Sequence, residues 1–152
     1  ELARYRSEFF GRLRKVLGSR RDIQIVGDRF VFQSEVLFSS GSAELEVLGK
    51  AQLTDLANIL QGISKNIPSK INLILRVDGH TDRVPIHNFK FASNWELSTS
   101  RAISVVKFLQ EQSIPANRLA AAGFGEYQPL DARDDEIAYR RNRRIELKFD
   151  QR

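Results

Sequence analysis

An α+β sandwich of two layers, with helices packed on one face of a mixed sheet, is the fold this sequence predicts. Three observations carry it. Short β-prone runs with partial apolar–polar alternation recur at 23–32, 71–78 and 145–149, the pattern of strands covered on one side. Longer stretches between them place apolar residues at helical spacing. Strand, helix and strand follow one another over 71–124, the order of a βαβ unit, whose crossover is expected to be right-handed. At 152 residues the chain has the length of one domain, enough to bury roughly 70% of its unfolded surface.

Residues 2–17 read as an extra N-terminal helix. Leu2, Tyr5, Phe9, Leu13, Val16 and Leu17 recur at helical spacing among Arg4, Arg6, Arg12, Arg14 and Lys15, and Gly18 stops it. Residues 1–22 then form a basic helix or linker, and 23–152 the domain proper. Two β-prone runs around Gly27-Asp28 make a hairpin over 23–32. Val36-Leu37-Phe38 and the polar loop Ser39 to Ser42 lead into a helix over 44–66. Its stripe comprises Leu45, Leu48, Leu53, Leu56, Leu60, Ile63 and Ile67, and Pro68 ends it. A strand at 71–78 is closed by Gly79, and a long loop follows through Pro85. Ser93-Asn94-Trp95-Glu96 opens the next helix as a capping box. Ala102, Val105, Val106 and Leu109 form its buried face, and Ile114-Pro115 ends it. Leu119 to Phe124 is a short strand and 134–140 a short helix. Ile145, Leu147 and Phe149 alternate in a last strand.

Composition narrows the function. The hydrophobic fraction is 41% and the charged fraction 28%, ordinary for a globular domain and incompatible with disorder or a collagen-like repeat. No apolar run reaches the roughly 20 residues of a membrane helix, and no signal peptide is recognisable. Cysteine is absent, which removes thiolate catalysis, disulfides and cysteine-type zinc sites. Methionine is absent too and the chain begins Glu1-Leu2-Ala3, so it reads as a fragment or processed product whose parent would carry any membrane helix or targeting segment upstream. The net charge of +5 is concentrated at the start: residues 1–29 hold eight Lys/Arg against four Asp/Glu. Such an end suits an anionic surface or, more simply, a solvated helix face.

Ligands of a βαβ unit collect where the first strand ends and the next helix begins. That place holds Gly79-His80-Thr81-Asp82, then Asn94, with Leu97 and Arg101 four apart on one helix face. A carboxylate and a guanidinium around a polar pocket match a zwitterion, Asp82 taking an ammonium and the fork of Arg101 a carboxylate. The alternative is an Asp82–Arg101 salt bridge with no ligand.

Here the sequence resembles a known family. Gly79-His80-Thr81-Asp82, then Asn94, Leu97-Ser98 and Arg101-Ala102, then Gly123-Phe124-Gly125, then Asn142-Arg143-Arg144 before a strand, are similar in order and kind to the OmpA-type peptidoglycan-binding domain, over about residues 30–150. Val84-Pro85-Ile86, Ser93 to Ser98, Phe32 to Phe38 and Gly41 to Leu45 are similar to the MotB-type stator subunits within it. The resemblance implies a site for the diaminopimelate group of an uncrosslinked stem peptide. Asp82 would accept the ammonium and Arg101 hold the carboxylate; Asn94, Leu97 and Thr81 would shape the pocket. Asn142 and a neighbouring arginine would lie close: Arg144, with Arg143 left open because strand alternation sets Arg144 opposite Ile145. One departure is that Ser39 follows Phe38 where many members carry Asp.

The resemblance further implies a non-enzymatic wall anchor without cofactor, a homodimer, and a channel-forming membrane partner reached through an upstream helix. It implies the periplasmic domain of an inner-membrane protein in a Gram-negative bacterium. The same pocket would serve an outer-membrane anchor of OmpA or Pal type, or the wall anchor of a non-flagellar ion-driven motor. Rival readings are weaker on their residues. His80, Asp82 and Ser98 form a triad only on paper, with no nucleophile elbow. His80, Asp82 and His87 match no zinc spacing. The arginines at 140–144 resemble a nucleic-acid patch, but Asp134, Asp135, Glu136 and Glu146 flank them, so no nucleic-acid partner is expected. Trp95 has two readings, a sugar-stacking platform or packing on the loop. Phe9 and Phe10 likewise suit a dimer seam or packing on the sheet.

Overall fold

A computed structural model describes residues 1–20 and 22–152; Arg21, within the stretch read as a linker, lies outside the described residues. The five-stranded sheet has the order β1-β2-β5-β3-β4. β1 (Ile23–Val26) and β2 (Arg29–Gln33) form the expected hairpin, with Gly27 at φ +61 in its turn. β5 (Arg144–Gln151) lies antiparallel between β2 and β3 (Leu73–His80). β4 (Leu119–Gly123) pairs parallel with β3, and α4 (Asn94–Glu111) makes the crossover.

Strand alternation sorts the faces. Phe30 and Phe32 of β2, Leu73, Leu75 and Val77 of β3, and Ile145, Leu147 and Phe149 of β5 point into one apolar core. That core is closed by Leu53, Leu56 and Leu60 of α3 (Val47–Ser64) and by Ala102, Val105 and Leu109 of α4. α1 (Leu2–Leu17) joins them. Phe9, Leu13 and Leu17, spaced by four on one helix face, are buried there, and the Phe10 ring packs tilted against Phe30, centroids 4.9 Å apart. Its basic residues Arg4, Arg12, Arg14 and Lys15 stay exposed on the other side.

Several boundaries differ from the sequence reading. The helix expected over 44–66 begins at Val47, because Leu45 bridges Phe38 and Glu46 is extended at the N-cap; Leu48 is therefore exposed and not part of the stripe. Residues Ser34–Leu37 form a single helical turn, α2, with no periodicity to announce it. Gly79 does not close β3: the strand runs through it to His80, pairing with Ile145 and Gly123 on either side.

What Gly79 does instead is admit α4. A Cβ at Gly79 would lie 2.1 Å from the Ser98 carbonyl oxygen, and one at Gly123 would meet Thr99 at 2.0 Å. Both strands touch the helix backbone to backbone, so only glycine fits. Ser93 caps the helix, accepting from Trp95 N–H at 3.1 Å and donating to the Glu96 carboxylate at 2.6 Å. Gly79→Ala is expected to destabilise the fold by roughly 3 kcal/mol, by forcing apart two backbones. Gly62→Ala, on the exposed side of α3 with nothing within 4 Å, should instead stabilise it by about 0.5–1 kcal/mol. Urea denaturation of the two variants checks both signs.

Candidate binding pocket

Beyond the end of β3, a cavity of about 590 Å³ opens between the 81–86 loop, the 34–41 segment and α4. Leu97 and Arg101, one helical turn apart, come from α4, as their spacing predicts. Asp82 and Thr81 come from the loop, Phe38 and Glu35 from the opposite wall. Glu136, in the first turn of α5 (Glu136–Asn142), and Arg143, just after it, complete the charged lining.

Arg101 is 5% exposed. Its guanidinium lies over the Phe38 ring at 5.0 Å. Nε donates to the Ser42 carbonyl at 2.8 Å and Nη2 to that of Ser39 at 3.2 Å. Among the described residues Nη1 has no protein acceptor and no carboxylate lies within salt-bridge distance. Burial lowers this group to about 10, while the carboxylates of Glu35 and Asp82 act in the opposite sense from further off. Arg101 is thus charged at neutral pH and unmatched. A buried cation is costly unless paired, and this one faces a cavity open to an anion.

The Asp82–Arg101 salt bridge weighed from the sequence does not form. Asp82 pairs with Arg143 instead, Nη1 to Oδ2 at 2.6 Å, and its Oδ1 accepts from Val84 N–H at 3.0 Å. Arg143 also donates to Glu35 at 2.6 Å. Burial works against the Arg143 charge, but these two carboxylates outweigh it and raise the group above its ordinary value. Each Asp82 oxygen keeps one lone pair for a further donor. The cavity presents an unpaired guanidinium and, across it, a carboxylate with spare acceptors.

The remaining expected residues divide. Thr81 lines the pocket and holds the loop, its hydroxyl donating to the Asp82 carbonyl at 2.8 Å. Asn94 does not line it. Its carboxamide donates to the Asp82 and Val84 carbonyls at 3.3 and 3.1 Å, so it shapes the loop from behind. Asn142 is also outside, clamping the Asp131 backbone by two hydrogen bonds at 3.0 and 2.8 Å. Arg144 is a correction: it opens β5 on the face away from Ile145, and Arg143, the option left open, takes the pocket. Strand parity was the signal for that exchange. Glu35 and Glu136 had no signal in spacing. The Ser39 departure leaves one contact intact, because Arg101 is held there by the backbone carbonyl.

Arg144 belongs to a buried ionic layer on the sheet face opposite the helices. It donates to Glu146 at 2.6 Å, Glu146 also accepts from Arg29 at 2.7 Å, and Arg76 grips Asp78 through two bonds at 2.8 and 2.9 Å. His80 sits among them, stacked on Phe124 at 5.0 Å. Asp78, His80 and Glu146 lie close enough to suggest a metal site, but their carboxylates are already neutralised by three guanidinium groups, an arrangement that disfavours an added dication. His87 takes no part in that cluster, and Ser98 is engaged in structure, accepting from Gly125 N–H at 3.0 Å.

Known proteins share this fold and its family. The model of the OmpA family matches residues 37–143. Motility protein B of Bacillus subtilis (strain 168) is 32% identical over 116 residues, 76% of this chain and 42% of that protein. The crystal structure of a protein described as MotB-like, from Desulfovibrio vulgaris, superimposes with a TM-score of 0.81 at 27% identity, covering 99% of this chain and 91% of that one. The cell wall anchor of the T6SS from Pseudomonas aeruginosa does so with a TM-score of 0.70 at 28% identity, covering 97% and 94%. The chain spans about half or less of the length of the curated relatives it matches.

The ionic layer carries a pH dependence. Burial, with the Arg144 guanidinium adding to it, lowers His80 from 6.5 to about 4. Between those values the unfolded chain binds a proton that the folded one refuses, so stability is complete above about pH 6.5 and falls as the pH drops toward 4. The loss attributable to His80 is expected to approach about 3 kcal/mol. Chemical denaturation across this range, compared with His80→Gln, isolates it as the part of the acid loss that the variant lacks.

Proposed function

We propose that this chain, which belongs to the OmpA family, is a non-catalytic cell-wall-binding module whose pocket grips the diaminopimelate zwitterion of a peptidoglycan stem peptide. The observation that carries the reading is the buried, carboxylate-free guanidinium of Arg101, facing a cavity that also holds Asp82. A carboxylate of the diamino acid would satisfy Nη1 of Arg101 in a partly desolvated site, where a charged hydrogen bond is strong. The ammonium beside it would take the spare lone pairs of Asp82. Thr81 and Leu97 are proposed as wall and floor, Asn94 and Asn142 as residues that position the loops. Arg143 serves the pocket by orienting Asp82, and Arg144 serves the sheet.

The similarity to motility protein B supports a role as the periplasmic anchor of a stator-type complex, acting as a homodimer beside a channel-forming membrane partner. In that setting the wall grip holds the complex against the reaction to the force it exerts. No helix of the described residues is long and apolar enough to cross a membrane, so the span would be supplied by sequence outside this stretch. A second reading keeps the grip without the motor, an anchor for another envelope machine; the likeness to the Pseudomonas aeruginosa T6SS cell wall anchor favours it.

Arg101→Ala should fold and lose sacculus binding by at least about 30-fold, the equivalent of about 2 kcal/mol for one charged hydrogen bond. Co-sedimentation with purified sacculi, alongside circular dichroism, reads the result. Undiminished sedimentation of a folded Arg101→Ala would remove the pocket assignment. Acetylating the free ammonium of the diamino acid should weaken wild-type binding and leave Asp82→Ala, already weak, unaffected.

A further inference from the structure

Trp95 and Tyr127 stack on one another at the surface, ring centroids 4.9 Å apart and planes at 29°, yet they remain 50% and 58% exposed. Gly125, at φ +60, lies against both rings from the protein side; a Cβ built there would sit 3.4 Å from Tyr127 and 3.6 Å from Trp95. The pair is therefore held by packing with its outer surface open to water. An open stacked pair of this kind offers a flat aromatic face to a ligand.

Beside the pair runs a groove of about 330 Å³ lined by Arg83, Glu126, Tyr127, Asp131 and Arg133. It shares a wall with the zwitterion pocket. Asp82 faces the pocket while the next residue, Arg83, faces the groove. The Asn94 carboxamide spans that wall, donating to the Asp82 carbonyl at 3.3 Å and to the Glu126 carboxylate at 3.4 Å.

We propose that Trp95 and Tyr127, with Arg83 and Glu126 at their side, form a second subsite that takes a pyranose ring of the glycan strand to which the stem peptide is attached. The inference rests on the wall-binding reading. A pyranose presents an apolar C–H face, which suits the electron-rich face of an aromatic ring. Its edge carries hydroxyl and acetamide groups, which suit planar charged side chains in a shallow groove. The geometry of the ligand agrees. Two residues separate the diamino acid from the sugar in a stem peptide, a reach of about 10 Å when extended, and only one wall divides pocket from groove.

The test uses the 152-residue chain and two probes: a disaccharide carrying the uncrosslinked tripeptide, and the same tripeptide without sugar. Calorimetric titration should show the disaccharide form bound about tenfold more tightly. Trp95→Ala and Tyr127→Ala should each bring its affinity down toward that of the free tripeptide while leaving the free tripeptide unchanged; Tyr127→Phe should behave as wild type. Trp95 is the only tryptophan, so its emission should respond to the disaccharide form and much less to the peptide. Equal affinity of wild type for the two probes would overturn the subsite, as would variants that weaken both alike. If wild type ignores the free tripeptide as well as the disaccharide form, the wall-binding reading falls and the subsite falls with it.

Discussion

The contact on which the arrangement depends is chiefly one of backbone against backbone. α4 meets the ends of β3 and β4 at Gly79 and Gly123, close enough that a single methyl group would collide with helix backbone. That approach sets Leu97 and Arg101, which flank Ser98 and Thr99 on the helix, against the same cavity as the loop that leaves β3. Asp82 is on that loop. Were α4 held off by an ordinary layer of side chains, the guanidinium and the carboxylate would no longer face one cavity. The loop is then tied down by its own polar groups: Thr81 to the Gly125 and Asp82 carbonyls, Asn94 to Asp82 and Val84, Ser98 to Gly125. The short motifs around 79–82, 94–102 and 123–125 are largely the residues of this junction.

The two charged regions have opposite electrostatic character. On the sheet face away from the helices, Arg29, Arg76 and Arg144 are each matched to a carboxylate, and the layer is closed. In the pocket Arg143 is matched twice, and Arg101 has no carboxylate partner among the described residues. Matched buried pairs contribute little net stability and mainly specify how strands and loops align. An unmatched one stores unfavourable energy in the free protein that a ligand anion can relieve. Adjacent arginines serve the two regions, Arg143 in the pocket and Arg144, which opens β5, in the layer.

Much of this was legible in the sequence, and the failures are instructive. Period-two and period-3.6 patterns located the hairpin, the βαβ unit, the N-terminal helix and the last strand, because burial on one face writes itself into residue order. Asp82, Leu97 and Arg101 could be placed near each other from topology alone. What spacing could not show was pairing. Asp82 chose Arg143, and Arg101 was held by carbonyls of Ser39 and Ser42, groups that every residue carries and no side chain announces. Gly79 looked like a strand terminator because glycine is poor in strands; its reason was a neighbour in space. Leu48 looked buried because its spacing fitted, until Leu45 was drawn into a bridge with Phe38 and the helix began later.

The burial of α1 has a mechanical corollary. Phe9, Leu13 and Leu17 are embedded in the same core as β3 and β5, and Phe9 meets Phe149 on β5 at 6.2 Å. A tension applied between the N-terminal end and an object held in the pocket would not pass along a slack tether. It would run from α1 through close-packed side chains into β5 and β3, and leave by the loop that carries Asp82. The antiparallel β3–β5 ladder, paired from Leu73 with Gln151 to His80 with Arg144, would share such a tension over many hydrogen bonds at once. Close packing thus links the first helix to the pocket with no slack segment between them.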